Sequence, residues 1–328
     1  MKKLINAPDH VLQESLRGFA RAHADIVRMH DDPLFIARSA RTPAGKVALI
    51  SGGGSGHEPL HAGYVGRGML DAACPGAVFT SPTPDQMTTA ARAVDSGAGV
   101  LFIVKNYEGD VMNFEMAAEI CDGGHASVLV DDDVAVRDST WTSGRRGVAG
   151  TVIVEKIVGA AAEEGRALDD LRALAEKVVE NTRSMGVALT SCTVPAAGEP
   201  TFTLGDDELE MGVGIHGEPG RERVPLRPAD AIVSTMLEAI AGDLEAAKND
   251  EVLLLVNGFG GTPAMELHLM FDAAARWLDD RDIEIARTLV GNYCTSLEMA
   301  GCSLTLTRLD EEMRQLWDAP VHTAALRW

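Results

Sequence analysis

Short, uniformly apolar runs alternate along the first half of the chain with longer stretches whose apolar residues recur at helical spacing. The runs at 47–50, 100–104 and 127–130 predict strands buried on both faces, because a strand with one solvent-facing side alternates apolar and polar residues. The helical spacing predicts amphipathic helices, the first over 9–29. Alternation of buried strands with helices indicates an α/β fold with a mostly parallel sheet flanked by helices.

The pattern changes near residue 184, where shorter apolar runs are separated by turn-rich segments. Further strands are predicted in this second part at 186–192, 202–204, 210–215, 252–256, 283–289 and 303–307. The helices predicted there are 228–248, 264–277 and 310–317. Those predicted in the first part, besides 9–29, are an alanine-rich helix that ends near 94 and helices at 111–120, 150–164 and 168–182. We therefore expect two α/β domains, residues 1–183 and 184–328, of which the first contains the mostly parallel sheet.

A glycine-rich segment, Ser51-GGGSGHEP-Leu60, directly follows the first apolar run, and seven glycines fall between positions 51 and 70. Glycine loses the most backbone freedom in regular elements, so the segment is predicted to be a loop rather than part of a helix or sheet. Backbone N–H groups without neighbouring Cβ atoms can approach a small polyol-like or phosphorylated ligand closely. His57 stands at the end of this segment, where it could orient such a ligand or act on it.

The same segment lacks the two common nucleotide-binding signatures. The spacing of Gly-x-Gly-x-x-Gly is incomplete, and His57 stands where a P-loop carries lysine. These differences disfavour a P-loop kinase and a Rossmann dehydrogenase.

Charged side chains follow two other apolar runs. Lys105 and Asp110 come after the second run, and Asp131 to Asp133 come after the third. Ligands bind beyond the carboxyl ends of parallel strands, so Lys105 and Asp110 could meet His57 there, hold hydroxyls and remove a proton; a surface ion pair is the alternative. Consecutive aspartates cannot all point at one ion, so we interpret Asp131 to Asp133 as a structural loop and assign no metal.

His216 follows another predicted strand and lies between glycines. An imidazole that is mostly neutral at pH 7 can act as a nucleophile. Its position is equally compatible with a packed histidine at a strand end, so spacing alone leaves both interpretations open.

Charge and composition exclude several classes of protein. There are 49 acidic and 29 basic residues, which gives a net charge of −20 and disfavours nucleic acid or an anionic membrane as a partner. Neither a secretory signal nor an 18-residue apolar run is present, so we expect a cytoplasmic protein. The five cysteines are odd in number and contain no Cys-x-x-Cys, which predicts reduced thiols.

Taken together, several segments resemble the substrate-binding K subunits of bacterial dihydroxyacetone kinases over nearly the whole chain. The segments are Ser51-GGGSGHEP-Leu60, Ala73-CPGAVFTSPTPDQM-Thr88, Val104-KNYEGDVMNFE-Met116, Asp131-DDVAV-Arg137, Gly144-RRGVAGTV-Ile153, Cys192-TVPAAGEPTFTL-Gly205, Gly212-VGIHGEPG-Arg221 and Trp317-DAPVHTAAL-Arg327. No single glycine motif has this specificity.

The resemblance implies a phosphotransferase with an alcohol acceptor, which makes dihydroxyacetone phosphate. His216, in the second domain, would bind the ketone carbon covalently as a hemiaminal, which would explain selection of short ketoses and aldoses over glycerol. Asp110 would be the general base toward the hydroxyl that is phosphorylated, and Lys105 would contact a substrate oxygen. The remaining pocket residues would be Gly54, Ser55, Gly56 and His57, with His57 hydrogen-bonded to the substrate.

The resemblance also implies partners. Because the sequence stops at Trp328 without a helical nucleotide-binding domain, we expect ADP or ATP with Mg²⁺ on a separate L subunit and no cofactor on this chain. A phosphotransferase-type M subunit drawing on phosphoenolpyruvate could rephosphorylate ADP, and an ATP-fed pair is equally compatible. A homodimer is the expected assembly.

Two alternatives remain at this point. An erythrulose-type kinase would use the same histidine chemistry with a different pocket depth. A non-enzymatic sensor that binds dihydroxyacetone and activates a transcription factor would need His216 but neither Asp110 nor His57, so the presence of both residues argues against a pure sensor.

Overall fold

The computed structural model describes residues 2–137, 139 and 142–328, and within these residues it contains two six-stranded sheets and a two-stranded one. The strands are β1 (Val27–Asp31), β2 (Leu34–Arg38), β3 (Ala48–Ser55), β4 (Gly66–Arg67), β5 (Ala72–Val78), β6 (Val100–Lys105), β7 (His125–Val130), β8 (Thr182–Ala188), β9 (Glu208–Met211), β10 (Glu222–Pro225), β11 (Glu251–Gly258), β12 (Glu284–Gly291), β13 (Gly301–Arg308) and β14 (His322–Thr323). The α-helices are α1 (Val11–Ala22), α2 (Pro84–Val94), α3 (Glu108–Ile120), α4 (Gly150–Glu163), α5 (Leu168–Glu180), α6 (Ala229–Leu244), α7 (Ala264–Asp279) and α8 (Glu311–Asp318).

The first sheet has the order β1-β2-β5-β3-β6-β7 and is parallel from β5 to β7. Successive side chains of its central strands enter different cores. Leu101 and Ile103 belong to a cluster that includes α4 and α5, whereas Phe102 and Val104 belong to a cluster with α2 and α3. Both faces are therefore covered by helices, which explains the uniformly apolar strands and confirms the predicted α/β class.

The second sheet has the order β10-β9-β8-β13-β11-β12, and β11 with β12 is its parallel pair. The strand of this sheet that comes first in the sequence, β8, begins at Thr182, next to the predicted domain boundary at 183. The largest hydrophobic cluster nevertheless runs from Leu16 to Leu326 and joins both sheets through α4, and β14 pairs with β4 in the first half. The division into two domains stays a prediction.

Several predicted elements differ from the structure. The first helix ends at Ala22 instead of continuing to residue 29, because Val27–Asp31 pairs with Leu34–Arg38 in a hairpin. Residues 202–204 are not a strand, and the strands β1, β2, β4, β5, β10 and β14 were not predicted. Most of them have five residues or fewer, and β5 contains Pro75 and Gly76, which are typical of turns, so no strand pattern stands out in their sequence.

The prediction of a glycine loop outside the sheet is wrong for its first half. Gly52 to Ser55 belong to β3 and pair with β5. Close approach explains the glycines there: a Cβ on Gly53 would collide with Lys105 Nζ, and one on Gly54 would lie 2.6 Å from the backbone nitrogen of Thr80. These glycines therefore admit neighbouring groups instead of freeing the backbone.

The sequence also predicts no membrane-spanning segment and reduced cysteines. Among the described residues, no helix is both long and apolar enough to cross a membrane. The cysteines are unpaired as expected, with Cys121 half-buried and the others buried: Cys74, Cys192, Cys294 and Cys302.

Candidate active site

A cavity of about 500 Å³ opens beside the carboxyl ends of β3 and β6, where the sequence predicts the site. Gly54, Asp110 and His216 line it together, although 162 positions separate the first from the last. Further lining comes from Phe79, Thr80, Ser81, Tyr107, Gly109 and Asn113. The carboxyl-end rule for parallel strands therefore located the cavity.

His57 lies directly after β3 and is buried. Its Nδ1 is 2.8 Å from the carbonyl oxygen of Thr295, and because a carbonyl only accepts, Nδ1 must carry the hydrogen. Burial lowers the pKa of His57 well below its usual value, with help from His216 and Lys105, so the ring is neutral. The other nitrogen, Nε2, then has a lone pair and lacks a partner within the described residues, so it is available to a hydroxyl group.

His216 is oriented by Glu218, two residues further on. Glu218 accepts a hydrogen bond from the backbone nitrogen of His216 at 2.9 Å and one from its ring Nδ1 at 2.8 Å. Burial favours the neutral carboxyl, but His216 and Arg146 outweigh it and hold the pKa of Glu218 at about 2. An ionised Glu218 therefore fixes the hydrogen on Nδ1 and leaves the lone pair of Nε2 for a nucleophilic role.

Aromatic rings enclose His216 edge-on. The ring centroids of His57, Phe79 and Tyr107 lie 4.7, 5.2 and 4.6 Å from its own. Phe79 also stacks on His57 at 4.9 Å, and its φ of 57° lies in the left-handed region that bulky residues rarely adopt. Such backbone strain concentrates at functional sites, and here it places an apolar wall beside two imidazoles.

Lys105 and Asp110 form a buried ion pair, not a surface one. Lys105 ends β6, and its Nζ is 3.3 Å from Asp110 Oδ2, with side-chain exposures of 1% and 4%. Asp110 lies in the first turn of α3, which begins at Glu108 instead of at the predicted residue 111, so the helix dipole favours its charge. Its second oxygen, Oδ1, is buried without a hydrogen-bond partner among the described residues and can accept a proton or a hydrogen bond.

The other two predicted pocket residues make contacts within the chain. Ser55 donates its hydroxyl to the carbonyl oxygen of Gly76 at 2.8 Å, and Gly56 donates its backbone N–H to the carboxylate of Glu58 at 3.1 Å. A carboxylate already occupies this N–H, and the glycines before it are paired in the sheet. The segment is therefore poorly suited to hold polyphosphate and suits a small neutral ligand better.

The aspartates after β7 have structural contacts. Asp132 accepts hydrogen bonds from the backbone nitrogens of Val148 and Gly150 at the start of α4, at 2.8 and 2.7 Å. Asp133 holds the buried Arg146 at 2.7 Å, and that guanidinium in turn helps to keep Glu218 ionised. The interpretation of this segment as a structural loop agrees with these contacts.

Several residues of the site were not found from the sequence, and four of these contact its histidines: Phe79, Tyr107, Glu218 and Thr295. Glu218 had a local signal, since a carboxylate two residues after a glycine-flanked histidine can reach its ring. Thr295 had none, because its role is played by a backbone carbonyl 238 positions away from His57.

The burial of His57 predicts a pH dependence of stability. Its pKa is well below the usual value of 6.5, so the unfolded chain binds more protons than the folded one just below pH 6.5. The free energy of unfolding should therefore fall as the pH falls from about 6.5 to about 5.5, by about 1 kcal/mol more in the wild type than in His57→Gln. Urea unfolding across this range measures the difference.

The control for this comparison is His125→Gln, which removes an exposed histidine and should keep the wild-type slope. Parallel profiles for the wild type and His57→Gln would contradict a neutral, buried His57.

A family model described as the Dak1 domain matches residues 17–325. A relative from Listeria innocua serovar 6a, named PTS-dependent dihydroxyacetone kinase 1, dihydroxyacetone-binding subunit DhaK, is 52% identical over 99% of this chain and 100% of its own. The native dihydroxyacetone kinase of C. freundii matches with a TM-score of 0.87 and 34% identity, over 98% of this chain and 60% of that one. The dihydroxyacetone kinase operon co-activator Dha-DhaQ matches with the same TM-score and identity, over 95% and 96%. The resemblance carried by the sequence motifs is confirmed, and the chain belongs to the Dak1 domain family.

Proposed function

We propose that this chain is the dihydroxyacetone-binding subunit of a dihydroxyacetone kinase, and that it binds its substrate covalently through His216. One observation carries the covalent part: Glu218 fixes the hydrogen of His216 on Nδ1, so Nε2 has a lone pair at a residue that lines the cavity. A lone pair of this kind can add to a carbonyl carbon, and glycerol has no such carbon.

The addition proceeds without a leaving group. His216 Nε2 forms a bond to the carbonyl carbon as the C=O π bond breaks, and the oxygen takes up that electron pair and a proton from solvent water. The positive charge that develops on the ring is stabilised by the adjacent Glu218 carboxylate, which can accept the Nδ1 proton. His57 Nε2, which lacks a partner in the part of the chain that the structure describes, can accept a hydrogen bond from a hydroxyl of the adduct.

Phosphoryl transfer then needs a base beside a terminal hydroxyl. Asp110 lines the same cavity as His216, and its Oδ1 has no hydrogen-bond partner among the described residues. This oxygen can take the proton of the substrate hydroxyl as the hydroxyl oxygen attacks phosphorus. Lys105 holds the other carboxylate oxygen. All three of its donors already have acceptors, so a direct contact from Lys105 to substrate would have to replace one of them.

The phosphoryl donor is proposed to come from a partner. ADP or ATP with Mg²⁺ would be held by an L subunit. The phosphoryl group would come from phosphoenolpyruvate, through an M subunit that rephosphorylates the bound ADP, or directly from ATP. The glycine segment supports this division, because Glu58 takes the N–H of Gly56 that a phosphate would need. The proposal also includes that this chain forms a homodimer and that it is located in the cytoplasm.

The test combines the purified chain with a nucleotide-loaded L subunit and compares dihydroxyacetone, glyceraldehyde and erythrulose, with glycerol as the control. We expect dihydroxyacetone to be phosphorylated most efficiently and glycerol not at all. Preference for erythrulose would identify the four-carbon kinase, and binding without phosphorylation would identify a sensor. Failure of every substrate to bind or react would overturn the proposal.

A further inference from the structure

A line of buried polar side chains leads from the cavity into the core behind Lys105. Lys105 Nζ is 3.1 Å from His61 Nε2, and His61 Nδ1 is 2.6 Å from Glu155 Oε1. The side chains of His61 and Glu155 are 4% and 0% exposed. The site described above uses neither residue, so their burial needs its own explanation.

Glu155 is an unusual residue for its position. It lies in the middle of α4, where every residue from Gly150 to Ala162 is buried. A buried carboxyl group costs free energy unless it is hydrogen-bonded, and burial raises the pKa of Glu155 well above its usual value although Lys105 opposes this. The hydrogen bond from His61 meets this requirement at Oε1, whereas Oε2 is buried without a hydrogen-bond partner among the described residues. His61 is therefore the hydrogen-bonding partner that holds this carboxyl group in place.

The hydrogen positions follow from the three neighbours. The Lys105 ammonium group has three hydrogens and three acceptors: Gly52 O, Asp110 Oδ2 and His61 Nε2. His61 can accept only if Nε2 has no hydrogen, so its hydrogen is on Nδ1 and is donated to Glu155. Burial and Lys105 lower the pKa of His61 well below its usual value, which keeps the ring neutral and the lone pair available.

We propose that His61 and Glu155 are positioning residues for the phosphoryl-transfer step: Glu155 fixes the tautomer of His61, and His61 fixes the Lys105 ammonium group against Asp110. The inference rests on the proposed function, since it gives Asp110 the part of general base. Without the acceptor at His61, one buried hydrogen of Lys105 loses its partner, and the ammonium group would turn away from the geometry that holds Asp110.

Other ionisable groups near this line do not replace the pair. His57 lies close enough to His61 to add to the lowering of its pKa by burial and by Lys105, but the Nδ1 of His57 is hydrogen-bonded to the carbonyl oxygen of Thr295. Tyr64, next to Glu155, donates its hydroxyl to the carbonyl oxygen of Tyr293. Within the described residues, His61 Nε2 accepts a hydrogen bond from Lys105, and His61 Nδ1 donates one to Glu155.

The experiment compares variants at position 155 in the complete kinase with its L subunit. Glu155→Met removes the acceptor with little change of volume, and we expect kcat to fall roughly 10- to 100-fold, as for other orienting partners, while the covalent adduct with dihydroxyacetone still forms. Glu155→Gln retains an amide oxygen that can accept from Nδ1–H and should recover most of the lost kcat. Lys156→Met is the matched control, because Lys156 is also buried in α4 but donates to Leu316 O, and it should keep the wild-type kcat.

A second measurement does not depend on turnover. In protein labelled with ¹⁵N in its nine histidines, with His61 assigned from the His61→Gln variant, the His61 shifts should report Nδ1–H in the wild type and lose this preference in Glu155→Met. Should Glu155→Met not fold, His61→Gln should keep more kcat than His61→Leu, because only glutamine offers Lys105 an acceptor.

The results separate this inference from the proposed function. A wild-type protein that neither binds nor phosphorylates ketoses would refute the function, while the ring-nitrogen shifts would still decide the tautomer. An Nε2–H ring in the wild type would overturn the inference, as would a loss of kcat in Glu155→Met no larger than in Lys156→Met.

Discussion

We expect His216→Ala to abolish covalent capture of dihydroxyacetone and to lower its phosphorylation by roughly a thousandfold or more. The substitution removes the nucleophilic nitrogen and with it the bond that would hold the substrate against Asp110. The remaining contacts are hydrogen bonds to a small, well-hydrated molecule, which bind weakly in water. With dihydroxyacetone labelled by ¹³C at its carbonyl carbon, the wild type should convert a carbonyl resonance to a tetrahedral one, and the variant should leave the carbonyl signal unchanged.

Two comparisons make this result specific. His268→Ala removes an exposed histidine on α7 and should leave the adduct intact. Glu218→Leu keeps the His216 ring but removes the acceptor that fixes its tautomer, so the adduct should form more slowly or to a smaller extent than in the wild type. Persistence of the tetrahedral signal in His216→Ala would show that another group binds the carbonyl carbon.

The sequence predicted the architecture of the first sheet well because burial on both faces leaves a direct mark. Val100 to Val104 are apolar at every position since alternate side chains enter two different cores. Where a strand is short or half-exposed, that mark is absent, and the first three residues of the hairpin strand Val27–Asp31 were assigned to the preceding helix. Tertiary pairing, not local preference, decides the structure of such segments.

The glycine segment shows a second limit of sequence reasoning. Glycine can mean a flexible backbone or a close approach, and the sequence does not distinguish them. At Gly53 and Gly54 the reason is close approach, because Lys105 and the Phe79–Thr80 backbone occupy the space that a Cβ would fill. The segment therefore contributes a rigid wall to the site, and a strand can carry it.

The site residues also fall into two groups, those that the sequence identifies and those that only the structure identifies. His57, Lys105, Asp110 and His216 could be named because their chemistry is recognisable at strand ends. Glu218 orients His216 from two residues away, but the Thr295 carbonyl that orients His57 is distant in sequence. Glu155, the hydrogen-bond partner of His61, lies inside an apolar helix. A backbone carbonyl has no sequence signature, so the tautomers of His57 and His61 could be assigned only from the structure.

The second large effect is expected for Asp110→Asn, which should keep covalent binding of dihydroxyacetone and lower kcat by roughly 10²- to 10⁴-fold. Asparagine has nearly the same shape, and its amide oxygen can still accept from Lys105 at the position of Oδ2. It cannot take a proton from the attacking hydroxyl. Binding and transfer should therefore separate in this variant, with an unchanged ¹³C adduct signal and a much slower release of dihydroxyacetone phosphate in a single-turnover assay with the loaded L subunit.

The control has to exclude a simple effect of charge at the helix terminus. Glu108 lies in the same first turn of α3, is exposed and does not line the cavity, so Glu108→Gln removes an equal charge from the same helix dipole. If Glu108→Gln lowered kcat as much as Asp110→Asn, the effect would be electrostatic and Asp110 would lose its role as base. If Asp110→Asn instead lost the adduct together with turnover, Asp110 would act in binding, and the base for phosphoryl transfer would have to be sought among the other groups that line the cavity.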